Sequence, residues 1–430
     1  MGTIVALIVF VYLTYKAFRL LNTSVGYLRS PYDKRQLMAC SGHEMLVVLI
    51  LTTGILGLLV PAVISIRLLL WEVLCVLGII YSKNRPITSV PVILYFVFVA
   101  WIIIGITYSP SAVYGSRMLL KYIYPLLIVL FTSAVVRDGE LMLKSMMNVR
   151  KLAFFSILAL SLPFLNMFFG LVFWHSAALA TMYITIAVFS LGMVYFSNEK
   201  RKNMVWFIIF CLPCVLWVIR TDIMGTMVAL SAFFVIKYRL KSLPILVVLA
   251  CLSVASIFCI PRVKEKMYFR PDEVTFMDFI TNNVDENNIN TSGRSGVWEE
   301  VKPFYETSKV IGQGTGCVQK YIYTEMNQVG GQLHGDFLVL LCDNGIVGLV
   351  LFLLAYGAGF LHCIVLYHRY NSSVIRLCTL VAGASLLGVM VTMYSDNTVS
   401  YSMATLSYPW GLYGMALGLI KAEKQKVVHQ

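Results

Sequence analysis

Charge is what this chain has least of. Only 13% of its 430 residues are Asp, Glu, Lys or Arg, about half the share of an ordinary soluble domain. That scarcity excludes a soluble globular fold. No internal repeat is visible, which argues against the repeat-built transporters. The ten cysteines lie mostly inside apolar stretches. Cys211 and Cys214, one turn apart, are expected to be buried thiols, and no disulfide framework or metal site is anticipated. The first apolar run continues into Lys16 and Arg19 without a small-residue cleavage site, so no cleavable signal is expected.

What the chain has is apolar surface: 59% of residues are hydrophobic and the mean hydropathy is +0.80. A bilayer core takes about 20 apolar residues per helix. The runs predict spans near residues 3–21, 45–64, 66–81, 91–109, 119–136, 152–170, 174–196, 203–220, 223–239, 244–260, 345–367, 377–395 and 402–421. The expected fold is therefore all-α: a polytopic integral membrane protein of about 12–13 transmembrane helices, with one large periplasmic loop between the tenth and eleventh. Three parts follow: a helix bundle over 1–260, a loop region over 261–344, and C-terminal helices with a short cytoplasmic tail over 345–430.

The net charge of +13 does not ask for nucleic acid. The cations sit in short loops such as Lys200-Arg201-Lys202 and Lys237 to Lys241. With the long loop outside, 22 of the 26 Lys and Arg beyond it fall in alternate loops on the other face, the pattern of a cytoplasmic membrane with its inner side positive. The exceptions are Arg67, Arg117, Lys121 and Arg220. Glu72, inside the third span, should need a partner within the bundle.

The stretch from Pro261 to Leu333 is the one large polar segment, with eight basic and ten acidic residues. It carries Arg262, Lys264, Lys266 and Arg270 near the membrane. Ser292-Gly-Arg294-Ser-Gly-Val-Trp298 then leads into an amphipathic surface helix. Gly312-Gln-Gly314-Thr-Gly316 follows, a turn whose backbone amides can approach an oxyanion or a sugar, or simply form a loop. The segment closes with His334-Gly-Asp336 and runs on to Asp343-Asn-Gly345-Ile-Val-Gly348, read as a short interfacial helix, a break, and the next span. An imidazole at the water–membrane boundary suits a general base; a histidine capping a helix is the plainer reading.

In this order, the many helices, the late large loop, Arg and Trp, GxGxG, His and Gly-x-x-Gly resemble the bacterial O-antigen polymerase and O-antigen ligase superfamily. The resemblance is clearest over 290–355. Two departures stand out. Gly335 follows His334 where the ligase branch usually has Asn, Ser or Gln. Met224 precedes Gly225-Thr226 where an Arg is common, with Arg220 four residues earlier on the same helical face. The His-Gly-Asp-Phe-Leu wording is closer to polymerases of O-antigen, capsule or exopolysaccharide than to ligases.

Membership would imply an enzyme working at the outer face of a bacterial cytoplasmic membrane. It would transfer glycans between undecaprenyl diphosphate-linked donor and acceptor, without metal ion, cofactor or nucleotide sugar, with membrane lipids and a chain-length regulator as further partners. His334 and Arg294 would be catalytic. Arg220, Arg262, Arg270, Gly312, Gly314, Gly316 and Asp336 would bind diphosphate or glycan. A local pair with Asp222 is the alternative for Arg220, and a first-turn carboxylate for Asp336. Asp336 or Asp343 could orient His334. Tyr394, Tyr114 and Tyr268 could stack on sugars or belong to the interfacial belt. A ligase passing glycan to lipid A core, and a flippase of the same lipid-linked glycan, are the competing functions.

Overall fold

A computed structural model describes residues 1–33, 35–82, 84–291, 294–326 and 333–428. Ser292 and Gly293, at the head of the expected amphipathic helix, lie outside the described residues.

The apolar runs fold as helices throughout. In chain order these are α1 (Gly2–Leu21), α2 (Gly42–Thr53), α3 (Pro61–Tyr81), α4 (Val90–Thr107), α5 (Ala112–Val135), α6 (Gly139–Ser161), α7 (Pro163–Phe169), α8 (Ser176–Phe196) and α9 (Lys200–Leu216). Next come α10 (Arg220–Tyr238), α11 (Leu243–Cys259), α12 (Pro261–Met267), α13 (Phe276–Ile280), α14 (Arg294–Thr307) and α15 (Cys317–Thr324). The chain ends in α16 (Asp336–Arg369), α17 (Ser373–Thr392) and α18 (Ser407–Val428). A two-stranded antiparallel hairpin, β1 (Gly26–Arg29) with β2 (Leu37–Cys40), follows α1.

The protein is an all-α polytopic membrane protein. Among the described residues, eight helices are long and apolar enough to cross a membrane, or up to nine if the bent pair α6–α7 is one span. The thirteen expected stretches resolve differently for local reasons. The stretch near 45–64 yields a helix of only 12 residues, α2. The stretch at 152–170 bends by 112° where Pro163 opens α7, because proline cannot donate its backbone bond and restricts the residue before it. Helices α10 and α11 run together as one apolar segment of 40 residues.

Burial ranks the helices. In its most apolar window α8 is 89% buried, against 22% for α1, so α8 is central and α1 peripheral. Aromatic rings fill the seam between α4, α16 and α18: Tyr95 lies 4.9 Å from Trp410 and Phe352 lies 4.4 Å from Tyr356, centroid to centroid. Such pairs add about 0.5–1.5 kcal/mol each beyond area burial. Helix α10 crosses α17 at Gly225 and Gly388, where a side-chain carbon on either would press against the other's carbonyl. Small residues at a crossing let two backbones close up, and this crossing sets the start of α10 against the end of α17.

Two of the unusual charged residues lie buried in the bundle. Arg67 is fully buried, donates to the carbonyls of Thr53 at the end of α2 and Leu56 just past it, and stacks on Trp71. Glu72 is also buried, but its Oε1 has no hydrogen-bond partner among the described residues, so the partner expected for it is not seen there. All ten cysteines are free thiols.

Candidate active site

Helix α16 is two helices. Gly345 sits at φ +66°, ψ −171° inside it, so a short segment from Asp336 to Asn344 is separated from the membrane span, at the Asp343-Asn-Gly break anticipated from the sequence. His334 stands immediately before the short segment, and Gly335, at φ +121°, makes the turn between them.

Three contacts fix His334. Its Nδ1 lies 3.2 Å from Asp396 Oδ1. Its carbonyl accepts from the Trp298 indole at 2.6 Å. The next amide, Gly335 N–H, donates to the Asp396 carbonyl at 3.3 Å. Asp396 belongs to the turn after α17, the element that the α10–α17 crossing positions. Its side chain is 10% exposed and that of His334 is 43% exposed. The carboxylate therefore stands behind the ring, and Nε2 is the ring nitrogen left to meet a reactant.

Cations gather on the α10 and α14 side. Arg220 opens α10 and donates to the Asn290 carbonyl at 2.7 Å. Arg294 opens α14 and lies close enough to Arg220 for their charges to repel. Trp298 is four residues beyond Arg294, hence on the same helical face, which ties this cluster to the His334 backbone. Lys266, on α12, completes the group: its ammonium donates to the Val218 carbonyl at 2.9 Å. Partial burial lowers the Lys266 pKa from its ordinary value, and Arg220 and Arg294 lower it further. Three cations gathered at one place form a surface suited to an anionic group such as a diphosphate. Asp222, the local alternative partner for Arg220, is buried and accepts from Thr181 Oγ1 at 2.6 Å.

The other expected site residues fall elsewhere. Gly312, Gly314 and Gly316 all have positive φ, as a tight turn requires, but their amides are spent inside the protein. Gly312 N–H donates to Ser308, Gly314 N–H to the Asp343 carbonyl, and Gly316 N–H to Asp343 Oδ2 at 2.8 Å. Val318 N–H takes the other carboxylate oxygen at 2.9 Å. The amides of this turn are thus engaged within the protein, two of them by Asp343, whose carboxyl group faces Gly316 and Val318 rather than His334.

Asp336 is likewise buried, accepting from Val399 N–H at 3.0 Å, and anchors the turn that carries Asp396 rather than facing a substrate. Lys121 stands near it and donates to Ser400 Oγ at 3.2 Å. Arg270 is exposed beside Glu273, 3.4 Å away, and Arg262 is exposed on α12. The structure joins neither to the cluster by any hydrogen bond or ion pair of its own among the described residues. Tyr268 is buried, and Tyr114 stacks on Tyr323 at 5.8 Å. Tyr394 is 70% exposed and its carbonyl flanks Gly335, so of the three tyrosines it is the one left facing outward beside His334. Asp396 and Lys266 had no assigned role in the sequence; the carboxylate two residues after Tyr394 and the third cation of the 262–270 run were the available signals.

No curated protein matches the chain. Residues 205–353, from within α9 to within the membrane span of α16, match the O-antigen ligase family, and Arg220, Lys266, Arg294 and His334 all lie in that range while Asp396 lies beyond it. The protein therefore carries a domain of the O-antigen ligase and polymerase superfamily within a multi-pass membrane fold.

Proposed function

We propose that the protein is a glycosyltransferase that polymerises undecaprenyl diphosphate-linked oligosaccharide repeats into O-antigen, capsule or exopolysaccharide at the periplasmic face of the bacterial cytoplasmic membrane. The observation that carries this reading is the pairing of His334 with Asp396 beside the Arg220, Lys266 and Arg294 cluster.

A hydroxyl of the acceptor glycan attacks the anomeric carbon of the donor. His334 Nε2 takes the hydroxyl proton as the new bond forms, and Asp396 on Nδ1 orients the ring and stabilises the imidazolium. The bond from the anomeric carbon to the diphosphate oxygen breaks, and its electron pair leaves with the lipid diphosphate. Arg220, Lys266 and Arg294 meet that developing charge, the arginines through their planar forks. Proton, electron pair and leaving group are thus accounted for by the chain's own residues. Tyr394 would offer its ring to a sugar.

The family match favours a second reading, an O-antigen ligase using the same donor and chemistry with lipid A core as acceptor. The polymerase is preferred because of the His334-Gly-Asp-Phe-Leu wording.

Incubating the purified protein with its host's undecaprenyl diphosphate repeat unit, without metal or nucleotide sugar, tests the reading. A ladder of lipid-linked oligomers that His334→Ala abolishes supports it. Transfer only when lipid A core is supplied makes the protein a ligase, and no covalent product with either acceptor refutes both.

A further inference from the structure

At the end of the bundle away from His334, a cavity of about 830 Å³ lies between the segment leading into α4, the last turns of α16 and the end of α18. From Gly345 to His362 the span rises about 25 Å, so this cavity and the His334 site sit near opposite membrane surfaces. The same end gathers the cation-rich segments. Lys421 Nζ lies 3.4 Å from the Arg85 carbonyl, and a second, smaller cavity nearby mixes Arg137 and Lys426 with Asp138, Glu140 and Glu423. The positive-inside rule assigns this end to the cytoplasm.

The lining divides into two chemistries. Val90, Leu361 and Leu417 contribute an apolar wall; Val90 and Leu361 are 66% and 61% exposed and would face acyl chains in a bilayer. Arg369, Lys421 and Lys424 contribute three cations, and among the described residues no carboxylate lines the cavity. The polar groups at its floor satisfy one another: His362 Nδ1 lies 2.5 Å from Tyr413 Oη, which lies 2.8 Å from Ser89 Oγ. The cations are what a ligand could still satisfy.

Basic residues that snorkel from helix ends need no fixed ligand. Here three of them converge, from two helices distant in sequence, on one cavity with an apolar wall. Basic pockets between membrane helices on the cytoplasmic side suit anionic lipid head groups, each cation near the surface being worth about 1 kcal/mol. We infer that this cavity binds an anionic phospholipid, its phosphate among Arg369, Lys421 and Lys424 and an acyl chain along Val90 and Leu361. The site is separate from the glycan chemistry and does not depend on it.

Native mass spectrometry of the detergent-purified full chain, titrated with phosphatidylglycerol or with phosphatidylcholine of the same acyl chains, tests the inference. The expected result is at least about tenfold better retention of phosphatidylglycerol. That preference should disappear in the Arg369→Ala/Lys421→Ala/Lys424→Ala variant and survive in Lys200→Ala/Arg201→Ala/Lys202→Ala, which removes as much charge from the start of α9. Ala358→Trp, which fills the cavity and keeps the cations, should also lose the bound lipid, and millimolar inorganic phosphate should not displace it. Equal retention of the two lipids, a preference that survives the triple variant at the cavity, or displacement by free phosphate would each overturn it.

Discussion

The imidazole of His334 and the carboxylate of Asp396 meet at 3.2 Å, Nδ1 to Oδ1, although 62 residues and two membrane-length helices, α16 and α17, separate them in sequence. Three elements make the meeting possible. Gly335 turns the chain between His334 and the short helix, Trp298 holds the His334 carbonyl, and Asp336 pins the turn after α17 through the Val399 amide. A ring held at Nδ1 by a carboxylate has its other nitrogen aimed and its charged form stabilised, which is the arrangement a general base requires.

His334→Ala should lower the rate of chain growth by about 100-fold or more, and Asp396→Asn by about 10-fold to 100-fold, since general-base catalysis is typically worth 10²–10⁴. The measurement is the initial rate of lipid-linked dimer formation at saturating donor, with expression and melting temperature matched to the wild type. An Asp396→Asn variant at full rate would show that the carboxylate does not serve the histidine.

Much of this was legible in the sequence, and the remainder was hidden for definite reasons. The hydrophobic runs fixed the helices, and the Asp343-Asn-Gly345 break was readable because only glycine takes φ +66° cheaply. The bend at Pro163 was readable in principle, yet an apolar run of the right length masked it. The partnership of His334 with Asp396 was not, because it depends on how α17 crosses α10 at Gly225 and Gly388. The glycine turn shows the same dependence: GxGxG announces free amides, and only the fold shows Asp343 arriving to take those of Gly314 and Gly316.

Trp298→Phe keeps the ring and deletes the indole donor to the His334 carbonyl. A net hydrogen bond is worth about 1 kcal/mol, or about fivefold. The turnover number should fall by about that factor with KM for the donor unchanged, because the indole positions the histidine and need not touch lipid diphosphate. A rise in KM alone would place Trp298 in the donor site instead.

Lys266 gives the cluster a pH dependence whose sign follows from its environment. Partial burial, then Arg220 and Arg294, lower its pKa below the ordinary lysine value of 10.5. As pH rises it therefore loses its charge before a free lysine would and well before either arginine. Donor affinity should weaken progressively at alkaline pH in the wild type, while Lys266→Arg should hold affinity across the same range. Lys266→Ala should raise KM about fivefold to tenfold at neutral pH with the turnover number little changed. Identical alkaline profiles for wild type and Lys266→Arg would remove Lys266 from the diphosphate site.

Asp343 distinguishes a structural glycine turn from a ligand-binding one. Its two carboxylate oxygens accept from Gly316 and Val318, and its carbonyl from Gly314. Removing the buried side-chain acceptor strands the Gly316 and Val318 donors at about 1–3 kcal/mol each, while the Gly314 bond to the backbone carbonyl stays. Asp343→Ala should therefore lower the melting temperature in detergent. Gly345→Ala should do the same, because its new side-chain carbon would collide with the Val310 carbonyl. His334→Ala should melt with the wild type, as its side chain is nearly half exposed and its two anchoring backbone bonds do not involve the ring. If Asp343→Ala keeps the wild-type melting temperature and loses only donor binding, the glycine amides serve the substrate after all, and the division between scaffold and catalytic groups must be redrawn.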